Sequence, residues 1–109
     1  MKICVFGAAS DLIDKKYIKD SEELCYKIAK NGHELVFGAG ANGLMGAAAR
    51  SFTRAGARIT GAIPHFFKTD TVEPIYDKCD ELIFTDTMRE RKKIMEDTAD
   101  AFVVLPGGI

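Results

Sequence analysis

Basic side chains with a defined spacing occur in the last third of the chain, in the stretch TMRERKKIM. A helix is predicted here, because Thr87 and Glu90 have the spacing of a capping box. At about 100° per residue, Arg91 falls between Ile94 and Met95 on the apolar arc of this helix. The pattern therefore turns one guanidinium toward the interior of the protein.

An inward arginine needs a partner, since burying a charge without one is costly. A planar guanidinium suits a phosphate or a carboxylate, so Arg91 is interpreted as a ligand clamp, with Lys92 on the other edge of the same helix face. An arginine that reaches the rim or pairs with an internal carboxylate is an alternative that the pattern leaves open. Arg89, Lys93 and Asp97 are predicted to point away.

Glycines cluster after three of the predicted strands. They are Gly7 after the first strand, Gly38, Gly40 and Gly43 after the second, and Gly107 and Gly108 after the last. Ligands of open parallel sheets bind beyond the carboxyl ends of the strands, and glycine lets the backbone approach a ligand closely. The convergence predicts a ligand site along this edge, although each glycine alone also suits an ordinary turn.

The run from Gly38 to Gly43 matches G-x-G-x-x-G between a strand and a helix. Dinucleotide binding also needs an acidic residue about 20 positions later, but the next acid is Asp70. NAD or FAD binding is therefore disfavoured, and a loop packed against neighbouring backbone is predicted instead. A Walker A motif is absent from the sequence as well.

Hydrophobic periodicity predicts strands that alternate with helices. The strands are placed at residues 2–6, 34–37, 57–63, 81–84 and 101–105, and the helices at about 21–30, 44–56 and 87–99. Asp20 and Glu23 mark the start of the first helix, and Asn31 with Gly32 marks its end. Because the strand runs are apolar on both faces, the chain is predicted to be a Rossmann-like α/β protein, an open parallel sheet with helices on both faces.

Composition and charge narrow the class of protein. The 109 residues are 47% hydrophobic and 28% charged, which predicts one globular domain over residues 1–109. A net charge of -1 without a broad basic patch disfavours nucleic acid binding. The sequence carries no long apolar stretch, so neither a membrane span nor a signal peptide is predicted and a cytoplasmic location is expected.

The cysteines and histidines give no metal-binding pattern. Cys4, Cys25 and Cys79 are far apart and lie in apolar settings, so they are predicted to be buried reduced thiols. His33 and His65 are each isolated, and no metal site or cofactor is predicted.

Five stretches together resemble the LOG (Lonely Guy) family of cytokinin riboside 5'-monophosphate phosphoribohydrolases, once described as lysine decarboxylases. They are GAAS after the first strand, GAGANGLMG after the second, GAIP at the third, TMRERKKIM, and the terminal LPGGI. The resemblance covers essentially the whole chain in order, and M-x-E-R-K with P-G-G is its most specific part. A lysine decarboxylase is disfavoured, since nothing indicates a pyridoxal phosphate lysine with its partner groups.

The resemblance implies hydrolysis of the N-glycosidic bond of adenosine 5'-monophosphate (AMP), with or without an N6 substituent. In that family the arginine of M-x-E-R-K is catalytic and the lysine contacts substrate; these positions are Arg91 and Lys92 here. The P-G-G loop binds phosphate, and an acidic residue of the long connection contacts substrate, which Glu73 matches by its distance of 18 residues from Arg91. The remaining predicted substrate contacts are Gly107, Gly108, Met88, Gly7, Ser10 and Gly40.

Some positions depart from the family pattern. Arg89 replaces a usual histidine, and Ala39 interrupts a usual triple glycine. The sequence ends at Ile109, before the G-T-x-x-E that supplies the catalytic glutamate in the family. The chain is therefore expected to be C-terminally truncated, the N-terminal part of a longer family domain, inactive by itself, with an incompletely covered sheet.

Three functions remain open after the resemblance. The leading one is a LOG-type phosphoribohydrolase, expected to act on a small-molecule nucleotide and, as is typical of the family, to form a homodimer. The second is a nucleotide-binding or carrier module that hydrolyses nothing. The third is an inert fragment that acts only through a partner.

Overall fold

A computed structural model describes residues 1–68 and 74–108 of the chain. The strands are β1 (Lys2–Phe6), β2 (Glu34–Phe37), β3 (Ile59–Pro64), β4 (Glu81–Thr85) and β5 (Ala101–Val104), and the helices are α1 (Lys15–Lys30), α2 (Gly43–Arg54) and α3 (Met88–Thr98). A short 3-10 helix, His65–Lys68, follows β3. The described strands form one parallel sheet in the order β4-β3-β2-β1-β5. The predicted α/β class is confirmed.

Two apolar clusters cover the opposite faces of the sheet. Successive strand residues alternate between them, as Ile3 and Val5 pack with α1 and α2 whereas Cys4 packs with Met95 of α3. Cys4, Val5, Leu35, Val36 and Phe37 are all almost completely buried. Strands that are apolar on both sides are typical of a parallel sheet between helix layers, as the sequence predicts.

α1 begins six residues earlier than predicted, at Lys15 instead of Ser21. Asp14 caps it, because its carboxylate accepts a 2.9 Å hydrogen bond from the Lys16 backbone N–H. The Asp20 and Glu23 spacing lies inside the helix and was misinterpreted as its start. The predicted end is correct, since Asn31 is the C-cap and Gly32 has a φ of 88°.

The loop after β1 packs against the first turn of α2. The Gly43 N–H donates a 2.8 Å hydrogen bond to the Asp11 carboxylate, and the Leu44 N–H donates one of 2.8 Å to the Ala8 carbonyl. A Cβ atom on Gly43 would lie 2.8 Å from the Ser10 carbonyl oxygen, a separation that leaves no room for a side chain. The predicted close packing of this glycine loop against neighbouring backbone is confirmed.

β5 is less covered than the other strands. Phe102 is 50% exposed and Val104 is 52% exposed, and both point to the face that carries α3. Phe102 stacks on Phe6 of β1 with ring centroids 6.2 Å apart. The expected incomplete cover of the sheet is confirmed at this strand.

Candidate functional site

A cavity of about 850 Å³ opens at the carboxyl edge of the sheet. The chain passes from β1 outward to β4 and then returns to place β5 on the other side of β1, so the strand order reverses between β1 and β5. Ligands of open α/β sheets bind at such a reversal. The described residues that line the cavity are Phe6, Gly7, Ala9, Gly38, Met45, Phe67, Met88, Arg89, Arg91, Lys92, Met95, Glu96 and Gly108.

Arg91 extends from α3 into this cavity and contacts the ends of two strands. Its Nε–H donates a 3.0 Å hydrogen bond to the Ala62 carbonyl in β3, and an Nη2–H donates a short one to the Gly38 carbonyl directly after β2. Its guanidinium carbon lies 5.6 Å from the ring centroid of Phe67. The predicted inward orientation is confirmed, with backbone carbonyls and an aromatic ring among its partners.

Charged side chains around the opening are mostly cationic. Among the described residues of the lining, Arg89, Arg91 and Lys92 are positive and Glu96 is negative. Arg89 is exposed, in agreement with its predicted outward orientation, and it is also among the residues that line the opening. Lys93 is correctly placed outside, since it is exposed and forms a 2.7 Å ion pair with Asp97.

The loops after β1 and β5 are joined beneath the cavity. The Ala8 N–H donates a 3.1 Å hydrogen bond to the Pro106 carbonyl. Gly107 has a φ of 74°, and a Cβ atom on it would lie 2.9 Å from the Cβ of Ala8. Glycine at this turn is therefore required by both conformation and space, and the adjoining Gly108 lines the cavity together with Gly7.

Four predicted contacts, Ser10, Gly40, Gly107 and Glu73, are not among the described residues of the lining. The Ser10 hydroxyl accepts a 3.1 Å hydrogen bond from the Leu12 N–H at the surface. Gly40 is buried and forms an isolated bridge with Ile75. Glu73 lies outside the described residues. Substrate contacts by these four residues stay predictions.

Several lining residues were missed from the sequence. Met45 lies in the first turn of α2, and Phe67 lies in the 3-10 helix directly after β3. Both positions follow the carboxyl ends of strands, which is the signal that could have found them. Glu96 was missed as well, because it lies on α3 beyond the basic stretch and belongs to no motif.

The three cysteines are not among the described residues that line the cavity. Burial raises the pKa of Cys4 to about 12, with a further contribution from the nearby Glu96 carboxylate, and raises the pKa of Cys25 to about 11. The prediction of buried thiols is confirmed for these two, and Cys79 is partly buried. Within residues 1–68 and 74–108, no His, Cys, Asp and Glu cluster could hold a metal ion, and no helix has the length and hydropathy to cross a membrane.

The fold and the cavity define a class, a Rossmann-like α/β protein with a cavity at its switch point. Solved structures share this fold: the molybdenum cofactor carrier protein of Chlamydomonas reinhardtii superposes with a TM-score of 0.78 at 24% identity, over 99% of this chain and 62% of that one. The molybdenum cofactor binding protein of Rippkaea orientalis gives a TM-score of 0.76 at 22% identity, over 95% and 61%. At such identities the likeness concerns the fold alone.

Sequence relatives narrow the class to a family. A family model described as "Possible lysine decarboxylase" matches residues 45–109. The cytokinin riboside 5'-monophosphate phosphoribohydrolase of Mycobacterium tuberculosis is 42% identical over 98% of this chain and 56% of its own length. The protein of the same name, LOG2, from Arabidopsis thaliana is 32% identical over 98% of this chain and 49% of its own length.

The chain belongs to this family, the LOG family, as the five stretches predict. It spans about half the length of the curated relatives that it matches.

Proposed function

We propose that the protein containing this chain is a phosphoribohydrolase, which cleaves AMP or an N6-substituted AMP into free base and ribose 5-phosphate. The observation that carries the proposal is the Arg91 guanidinium, held inside a cavity at the switch point of the sheet. A nucleoside monophosphate has an anionic end that suits this cation. The names of the family relatives support the same activity.

The glycine turns and the cations are proposed to bind the phosphorylated sugar. Gly7 and Gly108 bring backbone to the cavity, and the backbone N–H groups of such glycine turns are good phosphate donors. Lys92 adds an exposed charge at the rim, whereas Arg91 is tied to Ala62 and Gly38 by hydrogen bonds. We assign Gly107 to the same phosphate turn and Arg91 to the reacting centre.

The apolar part of the lining is proposed to hold the base. Phe67, Met45 and Met88 contribute a ring and two thioethers to the cavity, and such groups pack well against a flat heterocycle. Arg91 lies next to this apolar wall, at 5.6 Å from the Phe67 centroid. The guanidinium is therefore proposed to lie between the part of the cavity that holds the base and the part that holds the phosphorylated sugar.

The reaction joins the hydroxyl of water to C1' of the ribose as the bond from C1' to the base breaks. The bonding electrons leave with the base, which takes up the remaining proton. The sugar gains oxocarbenium character, which a carboxylate stabilises while it orients or deprotonates the water. We assign this carboxylate to the family glutamate that follows the P-G-G loop, and substrate contact to Glu73, Ser10 and Gly40.

The binding partners and the cellular location proposed for this protein are those that the resemblance to the LOG family implies. The substrate is a small nucleotide, and no nucleic acid or membrane takes part. We propose a cytoplasmic homodimer that uses no cofactor.

The test is to incubate the full-length natural protein with AMP and with N6-substituted AMP, and to measure free base by chromatography. Release of base and of an equal amount of ribose 5-phosphate supports the proposal. A folded protein that binds AMP and releases no base would overturn it. That result would favour the second candidate, a nucleotide carrier, because the binding contacts assigned above need no general base.

A further inference from the structure

We infer that Gly38 is a positioning residue, whose lack of a side chain lets its carbonyl hold the Arg91 guanidinium in the cavity. Gly38 is 53 residues away from Arg91 in the chain, and its carbonyl accepts a hydrogen bond from Arg91 Nη2–H. The consequence of this contact for catalysis rests on the proposed function.

Backbone conformation does not explain a glycine at this position. The glycines with positive φ among the described residues are Gly32, Gly43, Gly56 and Gly107, so Gly38 has no left-handed conformation to accommodate. Its neighbour Ala39 does adopt a φ of 63° and nevertheless carries a side chain. The reason for glycine at 38 must therefore lie in the space around it.

That space is filled by Arg91. A Cβ atom built on Gly38 would overlap Nη2 of Arg91 and would lie 2.9 Å from its Cζ and 3.1 Å from its Nε. Within residues 1–68 and 74–108 these are the nearest atoms, and all of them belong to one side chain. A methyl group at this position would therefore push the guanidinium away and leave the surrounding backbone in place.

The same contact fixes how the guanidinium is oriented. Arg91 donates to Gly38 after β2 and to Ala62 in β3 at the same time, so its plane is tied to two neighbouring strands. Hydrogen bonds from a charged donor are stronger than neutral ones. Loss of the Gly38 contact would remove one of the two hydrogen bonds that tie the guanidinium to neighbouring strands, and so would weaken the constraint on its orientation.

The test is Gly38→Ala, made in the natural protein and in an Arg91→Ala background. With Arg91 present, kcat/KM for AMP should fall about 100-fold, the size expected for an error of about 1 Å in a catalytic group. In the Arg91→Ala background the same change should alter kcat/KM less than about 2-fold, because no guanidinium remains to displace. An equal loss in both backgrounds would overturn the inference.

Gly61→Ala is the matched control. A Cβ atom there would lie 2.9 Å from the Cβ of Ala39 and 3.1 Å from both Cys79 Sγ and Leu82 Cδ1, with no Arg91 atom among these contacts. It should lower the thermal midpoint to a similar extent with and without Arg91. Gly38→Ala should lower the thermal midpoint only when Arg91 is present. This comparison therefore tests the positioning role even if the Gly38→Ala variant folds poorly.

A spectroscopic readout separates this inference from the proposed function. The Nε–H proton of Arg91, identified by its loss in Arg91→Lys, should be protected from exchange by its bond to Ala62. Gly38→Ala should speed its exchange at least ~10-fold, the loss of about 1.4 kcal/mol of protection, whereas Gly61→Ala should not. An unchanged Nε–H signal in Gly38→Ala would refute the positioning role, whether or not the protein cleaves AMP.

Discussion

The Nε–H of Arg91 donates a 3.0 Å hydrogen bond to the carbonyl oxygen of Ala62, which lies 29 residues earlier in the chain. This contact ties α3 to the carboxyl half of β3 and gives the guanidinium one orientation in the cavity. A fixed cation loses little conformational freedom when it binds an anion. The first prediction concerns this side chain.

Arg91→Ala should lower kcat/KM for AMP by about 100-fold or more, since preorganised charged donors commonly contribute that much. Arg91→Lys should recover little, because an ammonium group lacks the planar geometry for two directed hydrogen bonds. Steady-state kinetics of the full-length natural protein measure both. Lys93→Ala is the control on the same helix and should stay within ~2-fold. A similar loss in both alanine variants would argue against a specific role for Arg91.

Arg89 is exposed at the rim, so it should act at a distance on the anionic substrate. Arg89→Ala should raise KM about 2-fold to 5-fold at low ionic strength, and the effect should fade as salt screens the charge. KM measured across a series of salt concentrations tests this. Lys15→Ala at the start of α1 is a control of equal charge. A KM effect that persists at high salt would point instead to direct contact.

Phe67 should contribute to the binding of the base and little to the binding of the sugar phosphate. Phe67→Ala should weaken AMP binding about 10-fold, since stacking on an aromatic ring contributes about 1–3 kcal/mol per base. Inhibition by ribose 5-phosphate should change less than ~2-fold, and Phe67→Leu should give an intermediate AMP affinity. Steady-state kinetics give both quantities, the KM for AMP and the inhibition constant of ribose 5-phosphate. Equal weakening of both ligands would mean that Phe67 supports the cavity in general.

Thr87 should stabilise the start of α3. Its side-chain oxygen accepts a 3.0 Å hydrogen bond from the Glu90 N–H, and removing such a cap costs about 1 kcal/mol. Thr87→Ala should lower the free energy of unfolding in urea by that amount, whereas Thr87→Ser should preserve it. No difference between the two variants would contradict the capping role.

Cys25 should make the fold less stable at alkaline pH. Burial raises its pKa from the ordinary 9.0 to about 11, so the folded state holds the thiol proton more tightly than the unfolded state. This contribution is complete below about pH 9 and is lost as the pH rises through about 11. Cys25→Ala should reduce the slope of unfolding free energy in that window by about 1.4 kcal/mol per pH unit. An unchanged slope in Cys25→Ala would contradict this contribution of the Cys25 thiol to the pH dependence of stability.

The sequence by itself determined the α/β class, the approximate strands, and the inward face of α3. These depend on local regularities: apolar runs at β1 and β2, a threonine cap at residue 87, and the helical repeat that turns Arg91 inward. The predicted start of α1 was wrong because the sequence has two capping signals six residues apart, at Asp14 and Asp20. Only the cap at Asp14 lets Ile18 join the apolar face that includes Cys25.

Only the tertiary structure decided which groups meet in the cavity. Gly38, Ala62 and Phe67 contact Arg91 because parallel pairing brings the ends of β2 and β3 beneath α3. The place of β5 beside β1 likewise creates the switch point between Gly7 and Gly108. No local periodicity encodes such pairings, since they depend on contacts between residues that are distant in the chain.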